Sequence, residues 1–178
     1  MSRLLAACLI AVSFCGCRRP RPVYGALPDF TLTAVSAGRP AAPLRRQDLL
    51  GRVWIADFIY TTCSGPCPAL SAEMERLQKE LPDRVGLLSF TVDPEHDDAA
   101  VLAAYAKRFG ARPARWLFVT GPKDALSRLL LKGFLVSGGM THSTRLVLLD
   151  SRARLRGYFD GLDPASRAAL RKAAESLD

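Results

Sequence analysis

Two cysteines in one short motif are the residues of this sequence best suited to chemistry. Cys63 and Cys67 lie in residues 61–68, which read TTCSGPCP, with three residues between the two thiols. Four steps along a helix advance the chain by about 6 Å, close to the upper end of disulfide Cα separations, and they also leave room for one metal ion. Two thiolates are soft ligands that favour Cu(I) and leave one or two coordination positions open. An inert disulfide or a packed pair of free cysteines is the alternative.

The elements around the motif predict how the cysteines are presented. The apolar run from Val53 to Tyr60 is typical of a strand buried on both faces, and the residues from Pro66 to Leu81 have the spacing of an amphipathic helix. The cysteines therefore lie where a central strand ends and a long helix begins. Free backbone N–H groups and the helix dipole favour a thiolate there, so at least one cysteine should be more acidic than a free thiol.

The rest of the chain alternates between strand and helix patterns. Further strands are predicted at residues 30–35, 85–92, 116–119, 144–149 and 155–159. Asp97 and Asp98 are predicted to cap a second helix, Pro122 to open a third that runs to Leu130, and Asp163 to cap a last one. The order predicts an α/β, thioredoxin-like fold with a central mixed β-sheet flanked by helices.

Only two histidines are available as further ligands. His142 stands just before the strand at residues 144–149. In a thioredoxin layout the loop entering that strand faces the turn that carries the two cysteines, here residues 61–67 and called the cysteine turn. An imidazole there could complete a metal site, although a lone histidine is more often an ordinary polar residue. His96 is predicted to be a solvated turn residue. Asp93 could support the cysteine site from the end of its strand, but the sequence favours a turn or cap role for it.

The N-terminus indicates export and attachment to a membrane. Residues 1–17 combine a basic start, an uncharged apolar stretch and small residues, the pattern of an export signal. Residues 14–17 resemble a bacterial lipobox, which would place lipid on Cys17; an uncleaved anchor is the alternative. Residues 18–26 are predicted to be a basic, proline-rich tether to a folded domain at residues 27–178. The net charge of +8 is scattered, which does not favour nucleic-acid binding.

Three segments together carry a family resemblance. They are DFIYT at residues 57–61 leading into the cysteine motif, TVDP at residues 91–94, and THST at residues 141–144. From about Leu27 to Gly161 the chain resembles the Sco/SenC family. The resemblance implies a copper chaperone that delivers copper as Cu(I) or Cu(II) to the binuclear copper centre of cytochrome c oxidase, reduces its cysteines, or does both. It also implies that Cys63, Cys67 and His142 are the copper ligands.

The sequence departs from the family pattern at two positions, and the cysteine pair is also compatible with other functions. His96 stands where the family usually has arginine, and Thr141 replaces a frequent acidic residue, which leaves the partner open: a copper-receiving oxidase subunit or another copper protein of the cell envelope. An enzyme-like thiol–disulfide oxidoreductase would use Cys63 and Cys67 without needing His142. A peroxidase is disfavoured because the proline expected before its reactive cysteine is missing. The expected location is the periplasmic side of a bacterial membrane.

Overall fold

A computed structural model describes residues 21–135 and 144–177 of the chain. The helices and strands alternate along most of this length, as the sequence predicted. In chain order they are β1 (Gly25–Ala26), β2 (Thr31–Val35), β3 (Ala42–Arg45), a 3-10 turn (Arg46–Leu49), β4 (Val53–Ile59), α1 (Cys67–Glu80), β5 (Val85–Thr91), α2 (Ala99–Arg108), β6 (Trp116–Thr120), α3 (Lys123–Arg128), a π-helical turn (Leu129–Gly133), β7 (Arg145–Leu149), β8 (Arg154–Asp160) and α4 (Pro164–Glu175).

One mixed sheet of eight strands organises the described residues, in the order β1-β8-β7-β4-β5-β6-β2-β3. The strands β4, β5 and β6 are parallel neighbours, while β7 pairs antiparallel with β4 and β2 pairs antiparallel with β6. Helices α1 and α2 are the crossover connections that parallel pairing requires. The predicted α/β class with a mixed central sheet is confirmed.

Helices cover both faces of the sheet, so β4 is buried along its whole length. Side chains of α1, α2 and α4 form one core with Val53, Ile55 and Ile59, and α3 packs in a second core on the opposite face with Trp54 and Phe58. Successive residues of a strand point to opposite faces. Asp57 therefore belongs to the series that faces α1, and it places a carboxyl group among apolar side chains.

Two short strands were not predicted. β1 and β3 occupy the two edges of the sheet, and β3 contains Pro43 and only one buried residue, Leu44. Such strands carry little periodic signal because an edge strand with one buried side chain has no extended apolar pattern. The third helix was predicted to run to Leu130, but its α-helical part ends at Arg128 and the chain continues as a π-helical turn to Gly133.

Residues 21–26, the described part of the predicted tether, lie against β8. The Arg156 guanidinium donates to the backbone carbonyls of Arg21 and Pro22 at 2.7 and 3.2 Å, and the Tyr24 N–H donates to Leu155 O at 3.0 Å. These bonds fix the start of the described chain to the sheet edge. No helix within residues 21–135 and 144–177 is both long enough and apolar enough to cross a membrane.

Candidate metal centre

Both cysteines lie where the sequence predicted, in the connection between β4 and α1. β4 ends at Ile59, the Cys63 N–H donates to Tyr60 O at 3.2 Å, and α1 begins at Cys67. Cys63 is 7% exposed and Cys67 is 5% exposed, and both are free thiols. The connection closes with proline at the start of α1, where a missing N–H costs no helical hydrogen bond. Two reduced sulfurs are thus presented together at one end of the sheet.

The two thiols differ strongly in acidity. Burial acts to raise the pKa of Cys63, but hydrogen bonds from the Cys67 thiol and the Cys67 backbone N–H outweigh it, so the pKa of Cys63 lies below its usual value. The Tyr60 hydroxyl and the Gly65 N–H lower this pKa further. The predicted acidified cysteine is therefore Cys63, which receives N–H donors from the start of α1.

Cys67 is the less acidic thiol of the pair. Burial is the largest cause that raises its pKa to about 12, and the hydrogen bond to the Cys63 sulfur acts in the same direction. The negative charges of Cys63 and Asp57 add to this effect. Cys67 therefore holds its proton at neutral pH, while Cys63 is the thiol that reaches the thiolate state first.

Asp57 is a buried carboxyl group near this pair. It is fully buried, and neither of its oxygens has a hydrogen-bond partner among the described residues. Burial raises the pKa of Asp57 to about 7, against a weaker opposing effect of the Ser89 hydroxyl on the neighbouring strand. Asp57 was not predicted to be a site residue, although a carboxyl group within an apolar run that predicts a buried strand is a visible signal.

A second aspartate missed as a site residue is Asp97, which contacts the cysteine turn directly. Its carboxylate accepts hydrogen bonds from the Thr61 N–H at 3.1 Å, the Thr61 hydroxyl at 2.5 Å and the Thr91 hydroxyl at 2.6 Å. The sequence predicted that Asp97 and Asp98 both cap α2, and for Asp97 this is wrong: only the Asp98 side chain accepts a hydrogen bond from the helix, at Val101 N. Asp97 points instead to the strand ends.

His96 and Asp93 contact each other in the turn after β5. The His96 side chain is 71% exposed, and its Nδ1 lies 2.8 Å from Asp93 Oδ2. This contact with Asp93 is the main cause that raises the pKa of His96. The pair closes the turn after β5, where the His96 N–H donates to Asp93 O. The prediction of a solvated turn residue is confirmed for His96.

The predicted third ligand, His142, lies outside the described residues, as does Cys17. Its loop joins the fold between Leu135 and Thr144, immediately before β7. The antiparallel pairing runs from Trp54 with Leu149 to Ala56 with Val147, so β7 begins near the end of β4 from which the cysteine turn leaves. Within residues 21–135 and 144–177 no three His, Cys, Asp or Glu side chains form a cluster able to hold a metal ion.

The sequence of this chain matches a known protein family over most of its length. The model of the SCO1/SenC family matches residues 26–177. The chain belongs to the SCO1/SenC family. The resemblance inferred from the cysteine motif and the two later segments is thereby confirmed.

Members of this family include a curated relative and several solved structures. The SCO1 protein homolog of Bacillus subtilis is 38% identical over 92 residues, which is 49% of this chain and 48% of the relative, so the match spans about half the length of each. A SCO1/SenC family lipoprotein of Bacillus anthracis superposes with a TM-score of 0.76 at 25% identity, covering 89% of this chain and 99% of that one.

Two further similar structures were described with a disulfide switch or with bound copper. BsSco, described with a disulfide switch and as a member of the Sco family of cytochrome c oxidase assembly proteins, has a TM-score of 0.71 at 26% identity over 89% of this chain and 98% of its own. Yeast Sco1 with copper bound has a TM-score of 0.65 at 19% identity over 86% and 90%. The latter likeness shows the shared fold.

Proposed function

We propose that this chain is a copper-binding assembly factor whose ligands are Cys63, Cys67 and His142. It delivers copper to the binuclear copper centre of cytochrome c oxidase, reduces the cysteines of that centre, or does both. The observation that carries the proposal is the pair of free thiols, hydrogen-bonded to each other, between the end of β4 and the first residue of α1. Family membership supports it, and so does the copper held by the yeast relative.

The donor set suits copper as a transferable cargo. Two thiolates prefer a soft monovalent ion to hard cations, and an imidazole is compatible with copper in either common oxidation state. Cys63 and Cys67 would hold the ion, and His142 would reach it from the loop before β7. Because Cys67 keeps its proton at neutral pH, coordination must release that proton, and affinity should fall as the pH falls.

We expect the reduced protein to take up one Cu(I) ion and the Cys63→Ser, Cys67→Ser variant to take up none, because serine hydroxyls are poor ligands for Cu(I). The measurement is Cu(I) titration against a coloured chelator, with the copper in the protein fraction counted after gel filtration. His142→Ala should weaken binding markedly, whereas His96→Ala is the matched control, since His96 is the only other histidine and its exposed side chain contacts Asp93.

Equal copper uptake by the wild-type protein and the double serine variant would overturn this proposal. Equal effects of His142→Ala and His96→Ala would remove His142 from the ligand set but leave the two cysteines in it. The pH dependence supplies a separate check: affinity that does not weaken from pH 8 to pH 6 would contradict the release of the Cys67 proton.

The second candidate function is thiol–disulfide exchange in the cell envelope, with copper binding incidental. The unequal acidity of the two thiols favours it, and so does the disulfide switch described for BsSco. The Cys63 thiolate attacks one sulfur of a partner disulfide and releases the first partner thiolate. Cys67 then loses its proton to solvent and attacks the Cys63 sulfur, which releases the second partner thiolate. The partner disulfide is reduced and the Cys63–Cys67 pair is oxidised.

His142 separates the two candidates, because thiol exchange needs no imidazole ligand. If His142→Ala abolished copper binding and left both reductase activity and oxidase assembly intact, exchange would be the function. If the His142→Ala variant lost oxidase assembly but kept reductase activity, copper delivery would be the function. The copper-receiving oxidase subunit is the proposed partner, with another envelope copper protein as the alternative.

The proposed location is the periplasmic side of a bacterial membrane, with the chain attached through lipid on Cys17. The related lipoprotein of Bacillus anthracis and the lipobox-like residues 14–17 support attachment of this kind. We expect the mature protein isolated from membranes to begin at Cys17 with the mass of a diacylglyceryl group added. Mass spectrometry of the N-terminal peptide measures this, and recovery of residues 1–17 still joined to the chain would show an uncleaved anchor instead.

A further inference from the structure

Three parallel strands end beside the cysteine turn, and each end carries a threonine with its hydroxyl turned toward one acidic residue. Thr61 follows β4, Thr91 is the last residue of β5, and Thr120 is the last residue of β6. Carboxyl ends of parallel strands meet at one edge of a sheet, which is where α/β proteins place their functional residues. The residue that all three contact is Asp97, in the loop after β5.

We propose that Asp97 is a positioning residue that holds the cysteine turn in the shape that presents Cys63 and Cys67 together. The inference rests on the proposed function of the cysteine pair, in copper transfer or in thiol exchange. Asp97 touches neither sulfur; it acts through Thr61, which lies two residues before Cys63.

The contacts of Asp97 account for both of its carboxylate oxygens. Oδ1 accepts from the Thr61 hydroxyl at 2.5 Å, and Oδ2 accepts from the Thr61 N–H at 3.1 Å and from the Thr91 hydroxyl at 2.6 Å. Asp97 is completely buried. Hydrogen bonds to a charged acceptor are shorter and stronger than those between neutral groups, and burial increases their contribution. Thr61 is therefore held at both its backbone and its side chain.

The backbone of Asp97 is fixed as firmly as its side chain. Its N–H donates to Asp93 O at 2.9 Å, and its carbonyl accepts from the Thr120 hydroxyl at 2.9 Å. Thr91 Oγ1 in turn accepts from the Asp93 N–H at 3.0 Å. The carboxylate thus has little freedom to follow a displaced Thr61. The position of the cysteine turn is therefore fixed by the ends of β5 and β6 as well as by its own residues.

Other roles for Asp97 do not fit its surroundings. It does not cap α2, because Asp98 does so. Among the described residues it has no salt-bridge partner, so it is not half of a buried ion pair. A buried carboxylate costs free energy unless it is well hydrogen-bonded, and all the side-chain bonds that satisfy this one lead to the cysteine turn or to the strand end beside it.

The test uses the full reduced chain and a neighbouring aspartate as its control. Asp97→Ala and Thr61→Val remove the link, Thr61→Ser keeps the hydroxyl, and Asp98→Ala removes only a helix cap from the adjacent residue. The first measurement is Cu(I) affinity, by competition with a Cu(I) chelator. The second needs no metal: the equilibrium between dithiol and disulfide in the Cys63–Cys67 pair, measured in glutathione buffers. Thermal unfolding of each variant is recorded alongside.

We expect Asp97→Ala and Thr61→Val to weaken Cu(I) binding by about tenfold or more, the usual cost of losing a group that orients a ligand. Both should also disfavour the Cys63–Cys67 disulfide relative to glutathione, because a looser turn lowers the effective concentration of one thiol toward the other. Thr61→Ser should retain wild-type values in both measurements. Asp98→Ala should lower thermal stability and leave both unchanged.

Equal values for Asp97→Ala, Thr61→Val and Asp98→Ala would overturn the proposal and reduce Asp97 to a structural residue. If Asp97→Ala does not fold, the comparison of Thr61→Val with Thr61→Ser decides in its place. If the wild-type protein binds no Cu(I), the proposed copper function fails, but the glutathione equilibrium still tests Asp97. The two failures are therefore distinguishable.

Discussion

The Asp57→Asn variant is expected to be more stable at pH 8, relative to the wild-type protein, than it is at pH 4.5. Burial raises the pKa of this carboxyl to about 7 in the folded chain, whereas an aspartate in the unfolded chain titrates near its ordinary value of about 3.9. Between these values the folded state keeps a proton that the unfolded state has released. Stability therefore falls as the pH rises through this range and changes no further above it.

The size of the effect follows from the interval of about three pH units. Each unit corresponds to about 1.4 kcal/mol, so the contribution of Asp57 falls by about 4 kcal/mol between pH 4 and pH 7. Asparagine does not titrate. The free energy of unfolding of the variant should therefore rise relative to that of the wild type, by up to about 4 kcal/mol between pH 4 and pH 7. Urea denaturation of the reduced proteins at a series of pH values measures this difference.

Asp150 is the matched contrast because it is a buried aspartate of the opposite kind. Burial acts to raise the pKa of Asp150, but hydrogen bonds from Arg154 and Arg156 outweigh it, so this pKa lies below the ordinary value. Its stabilisation is present above the unfolded pKa and is lost as the pH falls. Asp150→Asn should thus destabilise most at neutral pH. A difference between Asp57→Asn and wild type that is flat with pH, or that shrinks toward pH 8, would contradict the raised pKa that burial gives Asp57.

The second large effect concerns labelling of the two thiols, which we expect to be strongly selective for Cys63. Its pKa is lowered while that of Cys67 is raised to about 12, so their thiolate fractions at neutral pH differ by at least about 1,000-fold. A thiolate of lower pKa is intrinsically less nucleophilic, and this offsets roughly half of the difference on a logarithmic scale. Cys63 should therefore react with iodoacetamide at least roughly 30-fold faster than Cys67.

Peptide mass spectrometry after a timed pulse of iodoacetamide at pH 7 measures the two rates in one sample. Cys63→Ser is the control for Cys67 alone, and the rate at Cys67 in that variant should rise, because Cys63 no longer draws a hydrogen bond from it or opposes its ionisation. Unfolding in urea should bring the two rates together. Equal rates in the folded wild-type protein would show that the start of α1 does not distinguish the two sulfurs.

Much of the fold was accessible from sequence because its signals are local. The central strand β4 is a continuous apolar run, α1 has its apolar residues at helical spacing, and Asp163 does accept a hydrogen bond from the helix that it was predicted to cap. The short strands β1 and β3 were missed. Their pairing depends on β8 and β2, which lie elsewhere in the chain, and not on a pattern of their own.

The cysteine motif was determined by the sequence itself: two thiols, their spacing, and their position between a strand and a helix are local facts. Only the folded structure decided which thiol is acidic, because it turns the Gly65 and Cys67 N–H groups toward Cys63 and buries Cys67. It likewise decided that Asp97 faces Thr61 and that no described residue donates a hydrogen bond to the Asp57 carboxyl group. Such roles depend on strands β4, β5 and β6 ending side by side, an arrangement that no single stretch of sequence contains.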